Sequence, residues 1–383
     1  MKSFALAICC VAWSCSSSMA DEARVQALLK TIAEVGPQGT GSPAARAARD
    51  ELAQQGLEIL PQLFLAMDTR NVVAANWYRT VYEEIVVREQ ASVASSWPTA
   101  FLENYLNEVH RSGRARRLAL SLIERLDPAF RDRWLPTRLD DPEFGFEAVE
   151  IALAAGAAAQ KTKNVEQAKV EYRKAFTAAR DAKQVSAAAT KLKSLGEAQN
   201  VYQHLGLVVD WRKIASFDAP DRTGFATVFD PETKLDVLLA KQNPFATAEW
   251  IDPKFVDAMG QLNLNDAFGT AREKVAYVFA EFDSPRDQAA QLRCGADDNC
   301  TVWLNGVRVF GREQWLNGTR FDRFIAPVTL AAGRNTFLVK VCQGPQHRDP
   351  EVQNLWSLQL RLCDEAGRGV EFTPIAPPAA EAR

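Results

Sequence analysis

The stretch Ala289–Phe310, AAQLRCGADDNCTVWLNGVRVF, constrains the fold of this chain more than any other. It contains an alternating apolar run, an acidic loop, a second run ending at Asn305-Gly306, and a third run. Asn-Gly between two alternating runs is a strong hairpin signal, because both central residues of a type I′ turn need a positive φ. The stretch therefore predicts a β-sheet with a tight hairpin at Asn305-Gly306.

Hydrophobic periodicity changes near Leu205 from a helical spacing to an alternating one. Between Pro220 and Asp266 the chain is rich in Asp, Pro, Asn and Gly. Seven short alternating runs follow, namely KVAYVFAEFDSP, QAAQLRC, CTVWLNG, VRVFG, FDRFIAPVTLAAG, NTFLVKVCQ and NLWSLQLRLCDEAG. Runs at this spacing predict an antiparallel β-sandwich, or jelly roll, over residues 205–373. The Pro- and Ala-rich residues 374–383 are expected to form a disordered tail.

Residues 21–155 place apolar side chains at helical spacing, for example at Leu57, Leu60 and Leu63. Short antiparallel helices that each bury one apolar stripe need a neighbouring pair to cover the rest. The pattern resembles HEAT repeats, in which a proline, a turn aspartate and a small-residue helix recur. The matching positions are Pro61, Asp68 and Ala74-Ala75 in one copy, and Pro136, Asp141 and Ala148 in the next.

Residues 156–204 contain a single apolar stripe formed by Ala168, Tyr172, Ala175, Phe176 and Ala179, opposite a face rich in Lys and Arg. A second helix is predicted from about Gln184 to Leu195, and the pair resembles a tetratricopeptide hairpin. The predicted fold class is therefore multidomain α plus β, with an N-terminal α-helical repeat region (HEAT- and tetratricopeptide-like) followed by an antiparallel β-sandwich.

Residues 1–20 have the features of a secretory signal peptide: an early lysine, an apolar run from Phe4 to Trp13, and small residues before Asp21. A lipoprotein signal ending at Cys15 is the alternative. No later apolar run approaches the roughly 18 residues that a membrane helix needs. We expect an exported, periplasmic or extracellular protein without a transmembrane segment.

The cysteines that follow the predicted signal all lie in the predicted sandwich, at Cys294, Cys300, Cys342 and Cys363. An even number in an exported domain favours disulfides, of which three pairings are possible. Strand alternation places Cys294 and Cys300 inward, and Cys342 and Cys363 outward. We predict bridges Cys294–Cys300 and Cys342–Cys363, with four free thiols as the alternative.

The charge and the motifs exclude several functions. A net charge of −3 and a pI near 5.8 do not indicate a nucleic-acid-binding surface. The sequence lacks G-x-S-x-G, H-E-x-x-H and a Walker loop, and its histidines, His110, His204 and His347, are scattered. The catalytic Asp/Glu pair of a glycosidase has no characteristic spacing in sequence, so no such pair can be identified here. We predict that the protein is not an enzyme.

The mature chain resembles a group of exported bacterial HEAT-repeat proteins that end in a galactose-binding-like sandwich. The matching positions are Leu195-Gly196, Trp211, Ala215 to Asp218, Gly224-Phe225, Asp230-Pro231-Glu232, Asp297-Asp298, Val302 to Gly306, Gly333 to Asn335 and Leu338 to Val341. The sandwich also resembles the sugar-binding jelly roll of family 2 glycoside hydrolases and the protective-antigen-type lectin domain. In some lectins of the latter type an Asp-Asp pair binds calcium beside the sugar, and Asp297-Asp298 occupies the comparable position.

Candidate binding residues follow from this reading. Asp297 and Asp298 supply hard oxygens for calcium, the one cofactor considered, although one of them could instead cap a turn. Three tryptophans, Trp303, Trp315 and Trp356, are candidates for a sugar-stacking platform, against simple packing on the sheet. Two arginines, Arg308 and Arg320, are candidates for bonds to sugar hydroxyls, against ordinary solvated side chains.

We expect a binding or scaffolding protein whose helical repeats contact a protein partner and whose sandwich binds carbohydrate. The alternatives are a purely structural envelope protein without a sugar site, and an accessory chain of a glycoside hydrolase.

Overall fold

The computed structural model describes residues 21–90, 96–270, 272–315, 318–345, 348–349, 351–352 and 354–376. The predicted signal peptide, with Cys15, and His347 lie outside the described residues. The chain divides into two compact units, and the division falls between Phe144 and Gly145. The fold is α plus β, with helices in the N-terminal part and an antiparallel β-sandwich after them, as predicted.

The first unit is helical. Its helices are α1 (21–33), α2 (Ser42–Leu52), α3 (Leu60–Ala66), α4 (Val72–Glu89), α5 (Thr99–Asn107), α6 (Gly113–Leu126) and α7 (Phe130–Trp134). Their apolar faces share one core that includes Ile32, Phe64, Ile85 and Tyr105. Asn71 caps α4, because its side chain accepts hydrogen bonds from the Val73 and Ala74 amides.

Two turn aspartates connect the loops of this unit to arginines. Asp68 accepts a hydrogen bond from the Ser112 amide at 2.8 Å and pairs with Arg111 at 3.0 Å. Asp141 accepts from Arg116, whose guanidinium is fully buried, and from the Glu143 amide at 2.9 Å. The two predicted turn positions thus have similar roles, while their membership in a HEAT repeat stays a prediction.

The second unit begins with four helices: α8 (Gly145–Lys161), α9 (Val165–Ala178), α10 (Ala182–Ser194) and α11 (Val201–Leu205). The predicted stripe from Ala168 to Ala179 is on the buried side of α9 and the residue after it. A boundary after residue 155 would fall inside α8, whereas the compact units divide before Gly145, the first residue of that helix. Gly156 of α8 packs on Tyr172, so α8 belongs with the hairpin.

The sandwich consists of two antiparallel sheets. Its strands are β1 (Arg212–Asp218), β2 (Glu249–Trp250), β3 (Leu262–Asn263), β4 (Lys274–Ser284), β5 (Gln288–Asp297), β6 (Asn299–Leu304), β7 (Val307–Arg312), β8 (Phe324–Leu330), β9 (Gly333–Cys342), β10 (Ser357–Cys363) and β11 (Thr373–Pro374). One sheet has the order β2-β1-β4-β9-β6-β7 with β11 on β4, and the other has β3-β10-β5-β8. The seven predicted runs correspond to β4 through β10. Two short helices, α12 (Leu235–Leu239) and α13 (Leu264–Phe268), lie in the connections.

The Asn305-Gly306 hairpin forms as predicted. Asn305 has φ 52° and Gly306 has φ 81° between β6 and β7. The Asn305 side chain also accepts the Thr336 amide at 2.8 Å, so the turn is bonded to β9.

The outer face of the larger sheet is covered by the non-periodic segment 219–248. Lys340 of β9 is buried there, and its ammonium donates to the Thr227 carbonyl at 2.6 Å and to Glu232 at 3.0 Å. Tyr277 of β4 donates to the same carboxylate. A buried lysine needs such partners, so this cluster attaches the segment to the sheet.

The cysteines are free in the structure. Cys294 and Cys300 face the shared core, where their thiols are hydrogen-bonded, and the predicted bond between them stays a prediction for the oxidised chain. The predicted Cys342–Cys363 bridge is wrong for this fold. Both residues face outward, but Cys342 lies on the outer face of one sheet and Cys363 on the other sheet, with the core between them.

The last strand of the sandwich, β11, extends one residue past the predicted limit at residue 373. Pro374 pairs with Phe282, and the Ile375 amide donates to Glu281 at 2.9 Å. Residues 377–383 of the predicted tail lie outside the described residues. No helix in the described part of the chain is long and apolar enough to cross a membrane.

Candidate functional site

The acidic pair lies where β5 passes into β6. Asp297 is the last residue of β5 and pairs with Ser357 of β10, so it is held against the smaller sheet. The Asp298 amide donates to the Cys342 carbonyl at 2.9 Å, which places Asp298 beside β9 of the larger sheet. The Asp298 carboxylate accepts a hydrogen bond from the Gly344 amide at 2.8 Å. The pair therefore joins the ends of both sheets.

The two carboxyl groups are buried and interact with each other. Asp297 is 7% exposed and Asp298 is 5% exposed. Burial, the hydrogen bond to Asp298 and the Asp298 charge together raise the pKa of Asp297 to about 7, while the Gly318 amide and Arg323 act in the opposite direction. At neutral pH the pair thus has a strong tendency to retain a proton or to acquire a cation.

We predict a pH-dependent stability that Asp297→Asn removes. A carboxyl group whose pKa is raised in the folded state contributes stability below its ordinary pKa and loses that contribution as the pH rises through the folded pKa. In EDTA, the wild-type chain should lose about 3–4 kcal/mol relative to Asp297→Asn between about pH 4 and about pH 7. Urea unfolding at a series of pH values measures this, and parallel pH profiles of the two proteins would contradict it.

An aromatic ring lies next to this pair. A Cβ atom built on Gly344 would come 2.5 Å from Asp298 Oδ2 and 3.3 Å from Trp315 Cε3. Gly344 therefore marks a point where the carboxylate and the indole meet and where a side chain does not fit. Trp315 is half-buried, and its ring nitrogen donates to Glu313 at 3.0 Å. The structure thus brings Trp315 close to the Asp298 carboxylate, and Asp297 is the preceding residue.

Several polar groups surround the pair. Asn299 accepts the Gln314 amide through its side-chain oxygen, and the hydroxyls of Thr319 and Ser357 are hydrogen-bonded. Among the described residues, two buried polar atoms here have no hydrogen-bond partner, Asn299 Nδ2 and Gln343 Oε1. The site therefore has more hydrogen-bonding capacity than the described residues satisfy.

Two of the three predicted platform tryptophans are not available to a ligand. Trp303 is 5% exposed and packs in the cluster beneath segment 219–248, beside Phe279 and Leu338. Trp356 is 1% exposed and lies in the core between the sheets, next to Phe268. Predicting either as part of an exposed platform was wrong, because strand alternation does not show what covers a face.

The two predicted arginines differ in position. Arg308 on β7 is exposed, with its guanidinium 5.9 Å from the Phe225 ring, and belongs to the opposite end of the β6–β7 hairpin from Asp298. Arg320 is exposed in the loop whose backbone passes over Gly295, two residues before Asp297. Only Arg320 therefore lies in a loop next to the acidic pair.

Five residues that contribute to this site were not predicted: Asn299, Gln343, Gly344, Thr319 and Ser357. Asn299 adjoins the acidic pair in sequence, whereas the other four come from segments distant in sequence that strand pairing brings to the pair. The "VCQGP" sequence at the end of β9 offered a weak signal, since Gly-Pro after a strand marks a turn.

The described residues contain no group of three or more His, Cys, Asp or Glu side chains arranged to hold a metal. A cation at this site would have two carboxylates from the protein, Asp297 and Asp298. Further ligands would have to be backbone carbonyls, water or the bound molecule.

No protein-family model matches the chain, and no curated protein matches it in sequence. A solved family 35 carbohydrate-binding module from an environmental isolate is 15% identical over 27% of this chain and 72% of the module, with a TM-score of 0.18. The PA14 sugar-binding domain of an RTX adhesin is 13% identical over 41% of this chain and 87% of that domain, with a TM-score of 0.22. Likenesses this distant carry no argument about the ligand of this chain.

Proposed function

We propose that the protein is a non-enzymatic, exported binding protein whose sandwich binds carbohydrate at the loop around Asp297 and Asp298. The observation that carries this proposal is the meeting of two buried, hydrogen-bonded carboxyl groups with the half-buried Trp315 ring at Gly344. The predicted signal peptide supports the exported location.

Sugars match this combination of groups. A pyranose ring has an apolar C–H face, which packs on an aromatic ring, and an edge of hydroxyls, which bind charged oxygens and cations. Trp315 offers the first surface and the acidic pair offers the second. The Thr319 and Ser357 hydroxyls add neutral donors and acceptors of the kind that fix the orientation of a ligand.

Calcium fits the acidic pair. Carboxylate oxygens are its preferred ligands, and a divalent cation removes the repulsion and the burial cost that raise the pKa of Asp297. Calcium takes six to eight oxygen ligands, so sugar hydroxyls can complete its coordination. When bound, the cation would supply attraction for vicinal hydroxyls, and the protein residues would fix its position.

The carboxyl geometry disfavours glycoside hydrolysis. The two catalytic carboxyl groups of glycosidases lie about 5–9 Å apart, because sugar or water must fit between them. The carboxyl groups of Asp297 and Asp298 are hydrogen-bonded to each other, which leaves no such space. The arrangement is suited to binding rather than to cleavage.

A glycan array probed with the full chain, with calcium chloride and with EDTA, tests the proposal. We expect calcium-dependent binding that Asp298→Asn weakens at least about tenfold, since removing a charged partner costs about 1.5–3 kcal/mol. Trp315→Ala should weaken binding by a similar factor without changing its dependence on calcium.

Two matched controls come from the same sandwich. Asp218 is an exposed carboxylate paired with Lys274, and Trp250 is a half-buried tryptophan on β2, far from the acidic pair in strand order. Asp218→Asn and Trp250→Ala should bind as the wild type does. Binding that persists in EDTA would count against calcium, and a wild-type chain that binds no glycan would remove the proposed function.

The protein partner of the helical repeats stays a prediction. The exposed apolar side chains of the first unit, such as Leu65, Val72 and Val87, are distributed over the end of α3 and both ends of α4. Single exposed apolar residues are normal on protein surfaces, so these positions do not define an interface.

A further inference from the structure

A cavity of about 650 Å³ lies within the C-terminal unit. Residues from α11, the segment before β1, the turn at 253–256 and residues 369–374 line it. Leu207 in its wall pairs with Arg361, four residues along β10 from Ser357, which pairs with Asp297. The cavity is therefore separate from the acidic-pair site, and its volume is typical of small-molecule pockets.

The wall of this cavity combines apolar and acidic side chains. Leu207, Val256 and Phe372 supply apolar surface. Two carboxyl groups, those of Asp210 and Glu371, also face it, and the described residues that line the cavity include no lysine, arginine or histidine. The lining therefore carries negative charge, which favours a cationic ligand over an anionic one.

Asp210 is the most informative group in the cavity. It is half-buried, and its carboxylate has no hydrogen bond or ion pair with any described residue. Burial alone raises its pKa. Tyr202 also lines the cavity, and burial raises its pKa, with smaller contributions from the charges of Asp257 and Asp210.

A partly buried carboxylate without a partner lowers the stability of the folded chain, and a cation placed beside it removes that cost. The Tyr202 ring next to it offers a π face, to which an ammonium group is also attracted. The ring is oriented by its hydroxyl, which donates to the Asp257 carbonyl at 3.0 Å.

We propose that this cavity binds a small organic amine, with an apolar body against Leu207, Val256 and Phe372 and its ammonium group paired with Asp210. This site is independent of the proposed carbohydrate site, because the two share no residue. The ligand class follows from the lining, which has two acids, the Tyr202 ring, apolar walls that include Phe372, and no basic side chain among the described residues that line the cavity.

Calorimetric titration of the full chain with three amines tests the proposal. The probes are tryptamine, phenethylamine and hexylamine, each compared with an indole, phenyl or alkyl carboxylic acid of matched length. We expect at least one amine to bind about tenfold or more tightly than its acid counterpart, because a charge-assisted bond contributes about 1.5–3 kcal/mol.

Two variants locate the binding. Asp210→Asn should abolish the preference for the amine while leaving a thermal transition no lower than that of the wild type, since the neutral amide is buried at less cost. Glu365→Gln removes an exposed carboxylate outside the cavity and should leave amine binding unchanged. Equal binding of amines and acids, no binding of any amine, or an unchanged preference in Asp210→Asn would overturn the proposal.

Discussion

Replacing Arg361 with methionine is expected to lower the free energy of unfolding by about 3–5 kcal/mol, because it removes the hydrogen bonds of a buried guanidinium to Asp322 and to two backbone carbonyls. Arg361 is 1% exposed on the outer face of β10. Its Nε donates to Asp322 at 2.7 Å, and its Nη1 donates to the carbonyls of Leu205 at 3.2 Å and Gly367 at 2.9 Å. One side chain thus connects the end of α11, the loop before β8 and the turn after β10.

Methionine fills most of the volume but donates no hydrogen bond. It leaves both carbonyls without this donor and leaves Asp322 with Arg293 as its ionic partner, at 3.1 Å. Buried polar groups that lose their partner cost about 1–3 kcal/mol each, which is why the expected loss exceeds that of a surface ion pair.

Urea unfolding followed by circular dichroism measures the loss. Lys174→Met is the matched control, because its pair with Glu171 lies three residues away on α9 and its side chain is 50% exposed. The control should lose no more than about 0.5 kcal/mol. A similar small loss for both variants would show that the Arg361 cluster does not stabilise the chain as its contacts indicate.

The sequence predicted the sandwich strands well because the signal for them is local. Alternation with a period of two, bounded by turn residues, marked each strand from β4 to β10, and Asn305-Gly306 marked one hairpin. The face of each residue also followed from alternation, as the inward Cys294 and Cys300 illustrate.

The pairing of the strands could not be predicted from local sequence patterns. In the larger sheet β9 lies between β4 and β6, so neighbours in space are far apart in sequence. Alternation therefore placed Cys342 and Cys363 outward without showing that they face outward from different sheets. A disulfide predicted from parity alone failed for this reason.

The candidate site was predictable only in part. The adjacent aspartates were conspicuous, and Trp315 follows them by a short stretch of sequence. The burial of Trp303 was not predicted because segment 219–248, which covers it, has no periodicity that shows where the segment packs. The ion pair between Lys340 and Glu232 holds this segment on the outer face of the larger sheet. The carboxylate of Asp210 gave no signal, because its cavity forms from segments more than 150 residues apart.

Gly306→Ala is expected to destabilise the chain by about 3–5 kcal/mol, through two separate effects. Gly306 has φ 81°, a conformation that costs an L-residue about 1–2 kcal/mol. A Cβ atom there would also lie 2.4 Å from the Leu235 carbonyl oxygen and 2.7 Å from the Leu239 amide nitrogen. Both contacts are to the backbone of α12, so the helix or the hairpin would have to move.

Gly333 separates the two effects. It has φ 79° at the start of β9, and a Cβ atom there would meet no other atom within 4 Å. Gly333→Ala should therefore cost only the backbone term of about 1–2 kcal/mol. Denaturant unfolding of both variants gives the difference, which measures how closely the hairpin packs on α12. Equal losses for the two glycines would mean that α12 does not contact the turn in solution, and that segment 219–248 is held to the sheet by the Lys340 cluster without help from the hairpin.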